Sequence, residues 1–305
     1  MRIAFIGQQD FGKAALEAFV ARGDTITGVF CKPEKPGEKP DALCAAAKAL
    51  GLPVFQFDKL TSIDAEQAMR ELNADIGVMA YVLQFVPQSL VNIPKHGTIQ
   101  YHPSLLPRYR GPSSINWPIA RGDTVTGLSI FRPTDGLDEG PVILQKSCPI
   151  GPDNTLGDVY FNSLFPMGVA ALLEAADLVV SGQHREVVQD ESLASYEGWF
   201  RAEESKINWA NHVDQVYDLI RACNPAPGAW TVLADTKVYL YECRKHPTPR
   251  MGEVQGKPGA ISKITDTSIF INTQGGRIEV IKLKPEGGKK ISGAEFAQAF
   301  NLHTA

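Results

Sequence analysis

Short runs of apolar residues, separated by stretches with helical spacing, mark the first half of this chain. Arg2 to Gly7, Thr25 to Phe30, Gly51 to Phe55 and Ile76 to Ala80 are each five or six residues long. Runs of that length rich in Ile, Val and Phe, without polar alternation, read as strands buried on both faces of a sheet. Between them Phe11 to Ala21, Ala42 to Leu50 and Asp64 to Leu72 repeat their apolar residues at helical intervals. Strand and helix in alternation predict an α/β fold with a Rossmann-like, doubly wound and mostly parallel sheet. A further strand, Gly97 to Tyr101, leads into His102 and Pro103, and a loop with two arginines runs on to Gly111. A helix-like segment follows, then strands at Thr126 to Phe131 and Val142 to Ile150, then a long apolar helix from Thr155 to Val180.

The pattern changes after Ser181. A polar, irregular segment reads as a linker, and beyond it a helix near Asn211 to Ala222 precedes short strands near Trp230, Val238, Ile261, Ile269 and Ile278. Short strands broken by Gly- and Pro-containing turns predict a small β-barrel-like (OB-like) domain. The expected division is a catalytic domain over 1–183, a linker over 184–204 and the C-terminal domain over 205–305. A length of 305 residues suits two domains.

Composition narrows the function only slightly. The net charge of -4 gives no global attraction to nucleic acid or anionic membrane. The five cysteines are scattered, odd in number and without a CxxC, so they read as buried thiols of a reducing compartment rather than as disulfides or zinc ligands. MRIAFIGQQ lacks the pattern of a signal peptide. No uninterrupted apolar run of about 18 residues exists, so no membrane span is expected and the protein is expected in the cytoplasm.

Candidate chemistry converges near the middle of the chain. His102 ends a strand, Gln100 points to the same side of it, and Asp138 follows the next strand. Open α/β sheets place ligand crevices at such strand ends, where an imidazole and a carboxylate form an acid–base pair. Arg108 and Arg110 read equally as anion ligands or solvated loop charges. Tyr81 to Pro87 reads as core packing or as a wall for a flat aromatic ligand. The first loop, Gly7 to Ala14, nearly spells a phosphate-binding G-x-x-x-x-G-K-[ST], but Ala14 stands where a hydroxyl is needed, so a plain strand-to-helix turn is the better reading. His96 and His102 have no third ligand at zinc spacing, and no metal is expected. Lys289 and Lys290 read as a charged hairpin.

His102-Pro-Ser-Leu-Leu-Pro107 with Arg108, Arg110 and Gly111, then Gly136-Leu137-Asp138-Glu139-Gly140, resembles the formyltransferases that use 10-formyltetrahydrofolate. The interval of 36 residues from His102 to Asp138 is the family's own. The carboxyl half is similar to the family's C-terminal domain at Lys206-Ile207-Asn208-Trp209 and at Asn224-Pro-Ala-Pro-Gly-Ala-Trp230. Ile6-Gly7-Gln8, Gln84-Phe85-Val86-Pro87 and Ile115-Asn116-Trp117 look most like the branch that forms the hydrolase domain of 10-formyltetrahydrofolate dehydrogenase.

The resemblance implies that 10-formyltetrahydrofolate is the formyl donor, tetrahydrofolate the product, and that transfer passes through a tetrahedral oxyanion. It makes His102 the acid/base and Asp138 its orienting partner. It also places Gln100 where the transferases carry Asn, with a side-chain amide displaced by about 1.5 Å, one C–C bond. It assigns folate contacts to Gln84, Phe85 and Val86 and to the loop containing Thr134 and Asp135, with Ser104, Leu105, Leu106 and Pro107 shaping the cavity. Water or a small amine is the expected acceptor. The tRNA-formylating branch uses a basic loop after its second strand, whereas CKPEKPGEKPD (31–41) balances three lysines with three acids. Methionyl-tRNA, a sugar-nucleotide amine, and folate binding without catalysis are the alternatives. No aldehyde dehydrogenase sequence follows residue 305, so oxidation of the formyl group is not expected of this chain.

Overall fold

The computed structural model describes residues 1–34, 37–248 and 256–304. Lys35, one of the three loop lysines between 31 and 41, lies outside the described residues. The chain packs as two compact units. One comprises Met1–Gly111, Gly127–Cys148 and Phe161–Tyr196; the other comprises Pro112–Thr126, Pro149–Tyr160 and Glu197–Ala305. Packing therefore draws the units differently from a single cut between 183 and 205. The expected linker is divided: its first part belongs to the first unit, and Val187 forms a β-bridge with Val142 there.

In the first unit, β1 (Arg2–Gly7), α1 (Gln9–Arg22), β2 (Thr25–Phe30), α2 (Ala42–Ala49), β3 (Val54–Phe55), α3 (Ile63–Glu71) and β4 (Ile76–Ala80) alternate. The short α4 (Gln88–Val91) then leads to β5 (Thr98–His102). With β6 (Val125–Phe131) and β7 (Val142–Pro149) these strands form one sheet, in the order β3-β2-β1-β4-β5-β6-β7. The first five run parallel, and β6 runs antiparallel to β5. Strand order reverses between β1 and β4, and there the backbones nearly touch. A Cβ on Gly7 would lie 2.4 Å from the Ala80 carbonyl oxygen, so the near phosphate-loop sequence is a close-packed turn.

The expected long helix is interrupted: α6 (Leu156–Val159) and α7 (Phe165–Val180) flank a π-helical turn at Tyr160–Leu164. Leu156–Val180, although not an uninterrupted apolar run, is long and apolar enough, by length and composition, to cross a membrane. Its α7 portion nevertheless lays Gly168, Ala171, Leu172, Ala175 and Val179 against β4, β5 and α1, as a core helix does.

The second unit contains α5 (Asn116–Ala120) and α8 (Val213–Ala222). Among the described residues its sheet has six strands on one path or beside it: β8 (Ala229–Leu233), β9 (Thr236–Pro247), β10 (Ile261–Ile264), β11 (Ile269–Thr273), β12 (Gly276–Pro285) and β13 (Ile291–Ser292). Among the described residues these strands pair with one another antiparallel. Val213, Val216, Tyr217 and Ile220 of α8 pack over β9 and β12, and α9 (Gly293–Ala299) adds Phe296 to the same core. All five cysteines are free thiols, four of them buried. Burial pushes the Cys223 thiol up to about 12.

Candidate active site

β5 lies between β4 and β6, with Gln100 opposite Met79 and Phe131 and His102 opposite Ser129. Alternation along the strand puts the side chains of Gln100 and His102 on one face. His102 is buried, and its Nε2 lies 2.8 Å from the carbonyl oxygen of Tyr109. A carbonyl only accepts, so Nε2 carries the proton in that bond. Nδ1 then faces Asp138 Oδ2 at 3.6 Å, within ion-pair reach but longer than a hydrogen bond.

Asp138 arrives by a detour. Because β6 is antiparallel, its carboxyl end lies beside Gln100, not at the tip of β5. The chain must fold back between Arg132 and Gly140 to return a carboxylate to His102. Gly140 permits the fold: a Cβ there would lie 1.7 Å from the Arg132 carbonyl oxygen. Asp138 itself has φ of 54°, left-handed backbone uncommon for a residue with a side chain. Its Oδ2 accepts a 2.8 Å hydrogen bond from the Gly111 N–H.

The loop after His102 is pinned from below. Ser129 Oγ donates to the Ser104 carbonyl at 2.7 Å and accepts from Leu106 N–H at 3.1 Å. Gln145 Nε2 donates to the Leu106 carbonyl at 2.8 Å, and Ser104 Oγ donates to the Arg108 carbonyl at 2.7 Å. Leu106 packs with Phe131 and Val142; Leu105 lies over Gly127; Pro107 accepts from Ser195 N–H at 3.2 Å.

The residues expected at the folate lie on two tethered segments. Gln84 Nε2 donates to the Asp58 carbonyl at 2.8 Å, and Val86 is buried among Phe30, Leu90 and Val91. Leu83 and Phe85 beside them are 56% and 55% exposed. On the facing turn Leu137 is 55% exposed, and Asp135 Oδ1 accepts from the Gln88 N–H at 2.9 Å, joining the two segments. Thr134 Oγ1 is buried with no hydrogen-bond partner among the described residues.

The two arginines separate. Arg108 is exposed, its guanidinium over the Tyr109 ring at 5.1 Å. Arg110 is neither an anion ligand nor a solvated charge, as either reading would have it: it is 0% exposed. Its Nε and Nη2 reach Gln189 Oε1 at 3.0 and 2.9 Å, and its Nη1 and Nη2 reach the Glu191 carboxylate at 2.9 and 2.6 Å. It also donates to the Tyr196 hydroxyl and lies over that ring. Sequence reasoning missed Gln189 altogether. A polar residue in a polar stretch carries no sign that it will be buried.

Residues 1–175 match the formyl transferase family and residues 200–301 match its C-terminal domain. The mitochondrial 10-formyltetrahydrofolate dehydrogenase of Homo sapiens is 35% identical over 307 residues, which cover 97% of this chain and 33% of the relative. The chain thus spans about a third of that protein's length. The methionyl-tRNA formyltransferase of Geobacter sulfurreducens is 33% identical, covering 99% of this chain and 95% of its own. Among solved structures WlaRD, a sugar 3N-formyl transferase, superposes with a TM-score of 0.70 at 16% identity over 92% of this chain and 97% of that one, a likeness of fold. Among the described residues no group of three His, Cys, Asp or Glu side chains could hold a metal ion.

Proposed function

The chain belongs to the formyl transferase family, and we propose that it takes the formyl group from 10-formyltetrahydrofolate and passes it to water or a small amine. The observation that carries this reading is the buried His102–Asp138 pair beside a half-exposed apolar edge. Leu83, Phe85 and Leu137 offer a flat ring system apolar surface, while main-chain groups at 84–86 and the unpartnered Thr134 hydroxyl offer polar contacts to its edge. In this reading the acceptor adds to the formyl carbon, and the bond from that carbon to N10 then breaks. His102 faces the charge that develops on the formyl oxygen, and Gln100 on the same face contributes its amide. Asp138 balances His102 and takes the proton that the attacking water or amine must lose; N10 receives one as it leaves.

Similarity to the dehydrogenases supports water as acceptor, because their matched third resembles this whole chain. Methionyl-tRNA stands as the second reading, favoured by the nearly full-length match to the Geobacter enzyme. Against it, the loop from Cys31 to Asp41 has no consecutive basic residues to neutralise phosphates. A single-turnover experiment decides. The protein is mixed with 10-formyltetrahydrofolate, with and without charged initiator tRNA or candidate amines, and formate and formylated product are followed. Formate in every mixture supports hydrolysis, formyl-methionyl-tRNA overturns it, and a formylated amine names the acceptor. Folate binding without any turnover would leave a binding protein.

A further inference from the structure

Two non-glycine residues around the His102–Asp138 pair have left-handed backbone: Tyr109 with φ of 59° and Asp138 with φ of 54°. Such conformations persist where surrounding contacts over-determine them. Both residues bear directly on the pair, since the Tyr109 carbonyl accepts from His102 and Asp138 is the pair's carboxylate. What holds them in place is a single network. Ser195 accepts the Tyr109 N–H on its Oγ and the Arg110 N–H on its carbonyl oxygen, both at 2.8 Å. Gln189 Nε2 donates to the carbonyls of Asp138 at 2.8 Å and Gly140 at 2.7 Å, fixing both sides of the turn that brings Asp138 back. The same Gln189 presents Oε1 to two nitrogens of Arg110, whose main chain lies between the residue that holds His102 and the residue that holds Asp138.

We propose that Arg110 and Gln189 are positioning residues that set the distance between His102 and Asp138. The proposal rests on the reading of those two as the catalytic pair. The amide of Gln189 suits the role because it needs a donor face and an acceptor face at once. Its NH₂ satisfies two carbonyls and its oxygen satisfies a guanidinium, so a glutamate would set a carboxylate against the Asp138 and Gly140 carbonyls, and a leucine would leave both carbonyls and the Arg110 Nε–H unmatched. Arg110 also cannot be replaced by lysine without loss, because a single ammonium cannot reproduce the forked contacts to Gln189 and Glu191. Both side chains are buried, Arg110 fully and Gln189 to 7% exposure, and each acts through the backbone on either side of the pair.

The test compares Gln189→Leu, Arg110→Lys and His102→Ala for formate release from 10-formyltetrahydrofolate. Gln189→Leu is expected to lower kcat about tenfold or more, leave KM within about twofold and displace the limbs of the kcat–pH profile. In a His102→Ala, Asp138→Asn background the same change should cost no further activity, because Gln189 acts only through the pair. A further loss in that combined variant, or an unchanged pH profile in Gln189→Leu, would overturn the proposal while leaving the catalytic pair intact. Full turnover in His102→Ala would instead refute the reading beneath it. Should Gln189→Leu not fold, Arg110→Lys carries the same comparison, since it keeps the charge beside Glu191 and loses the fork.

Discussion

Two regions of the first unit meet the candidate site in opposite conditions. Around His102 and Asp138 hydrogen bonds tie the His102 ring, the Asp138 carboxylate and the Asp138 carbonyl to neighbouring groups, and Arg110 is fully buried. Along the edge formed by Leu83, Phe85 and Leu137 more than half of each side chain is open to solvent. Chemistry needs reacting groups held to within a fraction of an ångström, whereas a binding wall gains by keeping apolar surface that only the ligand covers. The difference makes the two regions separable by mutation: one should respond in kcat and stability, the other in KM.

The largest effect is expected at the pair. His102→Ala and Asp138→Asn should each lower turnover by about 10²-fold or more while folate binding and the unfolding transition stay in place. Stopped-flow formate release beside a binding titration measures both. Preserved turnover in either variant would dissolve the contrast, because the rigid region would then be rigid for another reason.

Arg110→Met comes next. It fills similar volume but strips Gln189 Oε1 of two donors, and an unmatched buried acceptor costs about 1–3 kcal/mol. Denaturant unfolding should show a loss of that size. Phe85→Ser, at a 55% exposed position, should change stability by less than about 0.5 kcal/mol. Its effect belongs in KM for 10-formyltetrahydrofolate, which should rise about tenfold if a ring of the ligand covers the phenyl, about 1.5 kcal/mol of burial. Loss of stability there with no change in KM would reverse the roles of the two regions.

Gln100→Asn probes a less buried part of the rigid region. Gln100 is only half-buried and shares its face with His102. Shortening it by about 1.5 Å should raise the transfer rate several-fold if its amide overshoots the developing oxyanion. An unchanged rate would remove Gln100 from the reacting groups.

The same division explains what the sequence makes legible. β1, β2 and β4 fall where the apolar runs place them, because strands buried on both faces have no competing polar pattern. His102 and Asp138 are brought together as the strand ends imply, although by a folded-back turn rather than by adjacent strand tips. The break at Tyr160–Leu164 left no trace in apolar spacing, since a π-turn needs one extra residue and no special composition. α9 carries a readable cue, Ser292 followed by Glu295 in a capping box, set directly after a run of glycines and lysines that reads as a turn. The contact between Arg110 and Gln189 is illegible in the sequence. Their 79-residue separation gives no periodicity, and burial of a charged residue is decided by partners that only the folded chain supplies.

The smallest effect tests how far the network depends on its exposed end. Hydrogen bonds from Arg110 hold the Glu191 carboxyl below the usual carboxylate range, outweighing desolvation. A depressed folded value means that the contribution is complete above the unfolded value of about 4.3 and is lost as pH falls through the folded one. Stability of the native protein relative to Glu191→Gln should therefore be flat down to about pH 5 and narrow below about pH 4. At neutral pH the gap should be slight, because solvent screens an exposed carboxylate. Turnover of Glu191→Gln at neutral pH should stay near that of the native protein, since Gln189 still receives both nitrogens of Arg110 and still holds the turn at Asp138. A large fall in turnover would mean that the ion pair at the surface, rather than the buried amide beneath it, sets the geometry of the pair.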